Sequence, residues 1–242
     1  DLLTYVNKLG KIFEIFLHKI KIMRKAFLSL TLVGMVFLAS CGGSQETVEA
    51  TEAQETAAAS AEAVTYAVNT EVSSTTWKGG KFYQDTTKPE EGHYGSVKLK
   101  SGEVTVKDGV LEAGNFVADQ TTFESADLNE DPDTKAKLDG HLKSADFLDV
   151  EKFPESTFVI TGAKKLDSGD FNTEISGNLK FRDVEKNITF KANVKEEADK
   201  VTIKSEEFTI NRQDFGIVYK GGGDSIIKDE VTLQLDVTAT KK

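Results

Sequence analysis

The feature that most limits what this chain can become is a period-two alternation from Phe171 to Val194, FNTEISGNLKFRDVEKNITFKANV. Phe171, Ile175, Gly177, Leu179 and Phe181 share one parity, with Asn172, Glu174, Ser176, Asn178, Lys180 and Arg182 on the other. After a polar joint, Asp183–Asn187, Ile188, Phe190, Ala192 and Val194 alternate with Thr189, Lys191 and Asn193. Successive strand side chains point to opposite faces, so the pattern predicts an antiparallel hairpin with one dry and one wet face. At ~3.3 Å per residue its first strand would run roughly 36 Å. A lone hairpin is marginal in water, so the dry face demands more strands around it.

The rest of the chain has the means to supply them. Thr65–Lys78, ending near Trp77, is rich in Val, Thr and Tyr and reads as a strand. A polar loop, Lys81–Gly92, precedes two short strands, Tyr94–Leu99 and Glu103–Lys107, and Asp108-Gly109 turns the chain into Val110–Phe123. Ser156–Lys164 follows, then the hairpin. Val201 and Ile203 match the parity of Phe208 and Ile210 only after a shift, which places a bulge near Ser205–Glu207. Val231, Leu233, Leu235, Val237 and Ala239 mark the last strand. About eight strands with hairpin-type links make an all-β, antiparallel barrel or sandwich, and long amphipathic strands favour closure into a barrel with an apolar lumen. One stretch differs. In Asp127–Pro154 an Asp131-Pro132 cap leads a run with Leu138 and Leu142 on one face, and Ser144–Asp149 presents Phe147 and Leu148. One or two short helices are expected there, lying across an end of the barrel.

The front of the chain reads as an address. Residues 23–40 have a basic start at Arg24 and Lys25 and an apolar run, Phe27–Phe37, too short for a ~20-residue membrane span. Leu38-Ala39-Ser40-Cys41 resembles a bacterial lipobox, in which the cysteine is lipidated and becomes the new N-terminus. Residues 1–22 read as upstream translation or an extended basic leader. Gly42–Ala63 has Glu as its sole charged residue type and no aromatic residue, so it is expected to be a flexible acidic tether between the anchor and a domain spanning 64–242. Gly42 replaces the Asp that retains lipoproteins in the inner membrane of enteric bacteria. The expected location is therefore the outer membrane of a Gram-negative envelope, on its periplasmic or surface face.

Charge and residue counts exclude several functions. A net charge of −10 argues against a nucleic-acid partner. Cys41 is the only cysteine, so a lipidated domain carries no disulfide or thiolate metal site, and past residue 41 only His93 and His141 remain as histidines. Asp127, Asn129 and Asp131 begin a calcium-loop spacing, but Pro132 and Leu138 stand where that loop needs Gly and Glu, so helix capping explains the acids better. Gly221-Gly222-Gly223 lacks the strand–helix setting of a phosphate loop and reads as a flexible link. His141 could serve as a general base, yet no nucleophile motif surrounds it, and a histidine bonded to a neighbouring loop is the better reading.

Four segments carry a family resemblance. His141–Val150 (HLKSADFLDV), with Phe153-Pro154 and Thr157-Phe158, resembles the HLxSxDFFD…PxxTF signature of the YceI-like, polyisoprenoid-binding family. Gly177-Asn178-Leu179 through Val184–Phe190 resembles its long hairpin, and Asn211–Ile217 (NRQDFGI) its NRxDFGI segment. Val68-Asn69 and Val72-Ser73 resemble its opening, with Asn69 where Asp is usual, Val72 where His is common, and Asp183 where the hairpin has Gly. The resemblance implies an extended lipocalin-like barrel holding a long-chain isoprenoid, quinone-like or other amphiphilic lipid, without catalysis or cofactor. Burying ten methylenes gains ~8 kcal/mol against ~4–15 kcal/mol for association, so long tails are favoured. The candidate lining is the inward set Phe158, Ile160, Ile175, Leu179, Phe181, Ile188, Phe190, Leu233 and Leu235, with His141, Arg212, Phe215 and Tyr219 at the mouth. The same side chains would equally serve as the core of a filled barrel. That alternative makes the protein an envelope-stress or scaffold component that binds a protein through loops such as Lys81–Gly92. The membrane, through the lipid anchor, is the other expected partner, and a homodimer is compatible with either reading.

Overall fold

The structure, a computed structural model, describes residues 47–242. The leader, Cys41 and the first residues of the tether lie outside the described residues. Twelve strands form one antiparallel sheet: β1 (Thr51–Glu52), β2 (Val64–Val68), β3 (Ser74–Tyr83), β4 (Glu91–Lys107), β5 (Val110–Ser125), β6 (Glu155–Lys165), β7 (Thr173–Phe181), β8 (Val184–Glu197), β9 (Lys200–Ser205), β10 (Phe208–Asn211), β11 (Ser225–Ile227) and β12 (Glu230–Lys241). Among the described residues one helix, α1 (Pro132–Lys143), lies between β5 and β6, and a 3-10 turn, Arg212–Phe215, follows β10.

The sheet closes on itself. β4 pairs with β5 on one side, and on the other with β3 along its first half and β2 along its second. β5 to β8 form a meander. The second half of β8 pairs with β9, β9 with β12, and β12 returns to β2 and β3. The fold is thus an all-β barrel, as the alternation favours and in the lipocalin-like form the resemblance implies, closed around the ring except where β8 and β10 part.

Several boundaries move. Thr65–Lys78 is one stave broken at Asn69–Ser73, where Asn69 N and Ser73 Oγ both donate to Thr238 O on β12. The two short strands around Ser101-Gly102 are continuous in β4, which absorbs the glycine with a bulge between Leu99 and Ser101. Lys81–Gly92 is shorter as a loop, because Lys81 pairs with Glu91 and Gly80 with Gly92. The glycine-rich link continues into β11, whose Ser225–Ile227 pairs with Tyr83–Lys81. The hairpin joint is also tighter than five residues: Phe181 pairs with Val184 and Arg182, not Asp183, takes the left-handed conformation, φ 55°. The bulge near Ser205–Glu207 is present. Asp236 pairs with Lys204 and Leu233 with Phe208, so two β12 residues face three, and Ser205 Oγ accepts from Leu235 N at 2.8 Å to mend the ladder.

That bulge divides the barrel into two different halves. Beyond it β9 links β12 to β8, whereas before it β10 pairs with β12 and leaves the first half of β8, paired to β7 on one side, with only the short β1 on the other. At the narrow end Tyr66, Val104, Val106, Ile160, Ile175, Ala192, Val201, Ile203, Val237 and Ala239 are buried, and most are small or β-branched, as a closed small ring requires. At the wide end the inward residues are large and aromatic. Phe190 stacks on Phe208 at 4.4 Å across the seam, and Phe158 lies 5.4 Å from Phe190 and 6.4 Å from Phe116. The Phe158 ring rests over Gly177, where a Cβ would come within 2.2 Å of its Cζ.

Residues 47–63, expected to be a solvated tether, lie along the barrel as a strap. Val48 N donates to Thr209 O on β10, and Thr51–Glu52 pairs with Asn187–Lys186 on β8, so the strap bridges the seam. It then crosses the outer wall. Asn178 donates to Gln54 O (2.7 Å) and accepts from Gln54 N (3.0 Å), Ala57 N reaches Ile160 O, and Ser60 bonds Glu112. Composition alone hid this, because the strap is held largely by backbone bonds and by Asn178 of the hairpin, with Val48 and Ala50 packed against the core.

Gly177→Ala is expected to displace the Phe158 ring and lower stability by ~1–3 kcal/mol, whereas Gly162→Ala, which meets nothing within 4 Å, should be near neutral; thermal melts of both variants check this. Asn178→Ala is expected to free the strap, read as faster proteolysis within residues 47–63 and a loss of ~1–3 kcal/mol.

Candidate functional site

The wide half encloses a cavity of about 360 Å³, within the ~300–1,000 Å³ range of small-molecule pockets. Its floor is the phenylalanine layer Phe116, Phe158, Phe190 and Phe208, and its walls include Trp77, Leu99, Leu179, Ile188, Leu233 and Leu235. Along β4 it reaches from His93 to Leu99, roughly 20 Å at ~3.3 Å per residue. The lining is overwhelmingly apolar, which suits a hydrocarbon chain whose transfer from water gains ~25 cal/mol per Å².

A lid and a loop frame the mouth. Asp131 caps α1 by accepting from Thr134 N (3.1 Å), Pro132 starts the helix, and Leu138 and Leu142 turn toward the cavity as their spacing predicts. Polar ties hold the lid to β5: Asp139 Oδ1 accepts from Ser125 N (2.8 Å), Lys143 Nζ donates to Thr121 O (2.8 Å), and Lys135 reaches Ser125 O. His141, Phe147 and Tyr219 form an aromatic trio with centroids 5.1–5.2 Å apart, and His141 Nε2 pairs with Asp146 at 3.1 Å. Arg182 on the hairpin turn donates to Phe147 O and packs over Phe153, drawing hairpin and lid together.

Arg212 works on its own loop. Its Nε donates to Lys228 O (2.9 Å), Nη1 to Ile217 O (2.5 Å), and Nη2 to Asp229 Oδ1 (2.8 Å) and Ile227 O. Burial lowers its pKa, opposed by the Asp229 carboxylate. Those bonds pin residues 217–229 over the mouth, so its donors serve the loop before any head group.

Of the sequence-derived candidates, Phe158, Leu179, Phe181, Ile188, Phe190, Leu233, Leu235, His141, Arg212, Phe215 and Tyr219 line the cavity. Ile160 and Ile175 face inward but sit below the floor, each 1% exposed in the packed half. Val72, which stands where the family commonly has His, is 62% exposed on the Asn69–Ser73 break and lines no part of the cavity. Trp77, Phe123, Gln120 and His93 line it without having been singled out. His93 shares the parity of Val97 and Leu99, and Gln120 that of Phe116 and Ala118, so alternation carried the signal for both.

His93 Nδ1 pairs with Asp127 Oδ2 at 2.8 Å beside the mouth, and Asp127 Oδ1 accepts from Tyr94 N at 3.2 Å. Burial pulls the Asp127 carboxyl upward, but the His93 and Tyr94 bonds outweigh it and hold it below the ordinary value. A depressed carboxylate contributes stability above its unfolded pKa of ~3.9 and loses it as pH falls through the folded value. The melting difference between wild type and Asp127→Asn should therefore be full above pH ~5 and shrink steadily below pH ~4. Arg212→Met is expected to speed amide exchange across 217–229 and to cost ~3 kcal/mol, with Arg212→Lys unable to restore the forked bonds.

Comparison with known proteins agrees with this architecture. The YceI-like domain model matches residues 66–239. A UPF0312 protein of Pseudomonas putida strain GB-1 is 34% identical over 137 residues, covering 52% of this chain and 67% of that protein. The crystal structure of BcnA from Burkholderia cenocepacia is similar in fold, with a TM-score of 0.54 at 17% identity, over 72% of this chain and 99% of that one. A domain from Saccharophagus degradans described as polyisoprenoid-binding has a TM-score of 0.50 at 11% identity, over 74% of this chain and 99% of its own. Closed barrel, hairpin and mouth segments thus coincide with the family's matched span, and the chain belongs to the YceI-like family.

Proposed function

We propose that the protein is an envelope lipoprotein that carries a long-chain isoprenoid, quinone-like or other amphiphilic lipid in the hollow half of its barrel. The observation that carries this reading is the apolar cavity above the phenylalanine floor. A barrel built only as a scaffold gains nothing from leaving half its interior unfilled, because voids forfeit packing energy. The polyisoprenoid-binding description of the Saccharophagus domain supports the ligand class. Binding without turnover is the reading for His141, whose ring is engaged with Asp146, Phe147 and Tyr219. The lipobox-like Leu38–Cys41 supports anchoring in the outer membrane.

Native mass spectrometry of gently purified protein should show a lipid adduct that organic extraction removes. Ala118→Trp, which fills the cavity from its wall, should abolish the adduct while the barrel still melts cooperatively. Ligand-free wild-type protein, or an adduct that survives in Ala118→Trp, would contradict the proposal. Cys41→Ser is expected to abolish fatty-acid labelling and release the protein from the membrane fraction.

A further inference from the structure

The apolar cavity contains one built polar spot. Gln120 on β5 and Ser156 at the start of β6 are 4% and 6% exposed, both line the cavity, and Gln120 Nε2 donates to Ser156 Oγ at 2.6 Å. Their position is fixed by the backbone, where Gln120 N donates to Pro154 O at 2.9 Å. Along β5 the pair lies between Phe116 of the floor and Phe123 beneath the lid. A primary amide offers two N–H donors and a carbonyl acceptor, and a hydroxyl both donates and accepts. Only one bond of that set is used between the two side chains. Among the described residues none donates to Gln120 Oε1, and that atom is not one of the sealed polar atoms of the wall. Turning the amide over would leave its nitrogen facing the cavity instead, so one polar atom opens on the lumen either way.

Two other polar groups of the lining are already occupied. Trp77 Nε1 donates to Glu124 O at 3.2 Å, and the guanidinium of Arg212 is spent on its loop. Buried polar groups are ordinarily paired, and an apolar side chain of the same shape in place of an unpaired one would be neutral or stabilising. A cavity meant for hydrocarbon alone has no use for a glutamine at this level. Resting on the lipid-carrier reading above, we propose that Gln120 and Ser156 form a subsite selecting a lipid with a neutral hydroxyl group. The hydroxyl donates to Gln120 Oε1 and accepts from Ser156, and the chain occupies the remaining apolar space. Neither side chain carries a charge, and an ionised head group placed here would lose its hydration without a counter-charge. The ligand's polar end is thus held under the lid and not left in water at the mouth.

The test is a set of binding titrations on the delipidated full chain with two probes, geranylgeraniol and the matching C20 hydrocarbon without the hydroxyl. Wild type should bind the alcohol about five- to a hundredfold more tightly than the hydrocarbon, the scale of two buried hydrogen bonds. Gln120→Leu and, separately, Ser156→Ala should each cut that preference several-fold by weakening the alcohol and leave the hydrocarbon within about twofold. Equal binding of both probes by wild type, or an alcohol preference unchanged in both folded variants, would overturn the subsite while leaving lipid carriage standing. Binding of neither probe by wild type would overturn both.

Discussion

The rest of the architecture depends on how four phenylalanine rings are seated across the barrel. Phe158 can lie flat across the lumen because Gly177 presents no Cβ to it, and from there the layer runs through Phe190 to Phe208. Below this layer the interior is filled by Val, Ile and Ala side chains and supplies the stability of the closed ring. Above it the wall residues border the cavity, with Trp77 stacked on Phe123 and Phe181 edge-on to Phe215. The rings therefore act as a partition: they end the packed core and begin the binding space.

The partition coincides with a change in how the barrel is closed. The bulge at Ser205–Glu207 turns the chain away from β8, so the upper ring is opened by the gap between β8 and β10. More wall around the same bore means a wider interior, which side chains of ordinary size do not fill. The strap and the Phe190–Phe208 stack cover that gap from outside and inside respectively. Lid, hairpin turn and Arg212-held loop then narrow the entrance. A stable lower half and a tied but less packed upper half is the division expected where a site must admit a ligand without unfolding.

Much of this was legible in the residue pattern. Alternation marked the hairpin, the last strand and the bulge, and Asp131-Pro132 marked the lid helix. Parity identified which side chains face inward, including most of the cavity lining. It could not separate Ile160 and Ile175 from Phe158 and Leu179, because all four share the inward face and differ only in height along the barrel. Height depends on register between strands distant in sequence, and on a glycine under a ring. The strap was missed for a related reason: Asn178 looks like an ordinary outward polar residue until Gln54 is laid against it, and Thr51 meets only the backbone carbonyl of Asn187. Arg212 stands at the mouth, as expected, but its forked bonds to carbonyls of its own loop depend on a fold of that loop that residue pattern does not show.

A half-hollow barrel makes a distinctive demand on its ligands, and tail length measures it directly. Affinities for a series of prenyl alcohols of increasing chain length should rise, at ~0.8 kcal/mol or about fourfold per buried methylene, and then level off once the space above the phenylalanine floor is full. An affinity indifferent to tail length from the shortest member onward would contradict the account, as would one that climbs without a plateau, since the first means no usable cavity and the second a bore open past the floor.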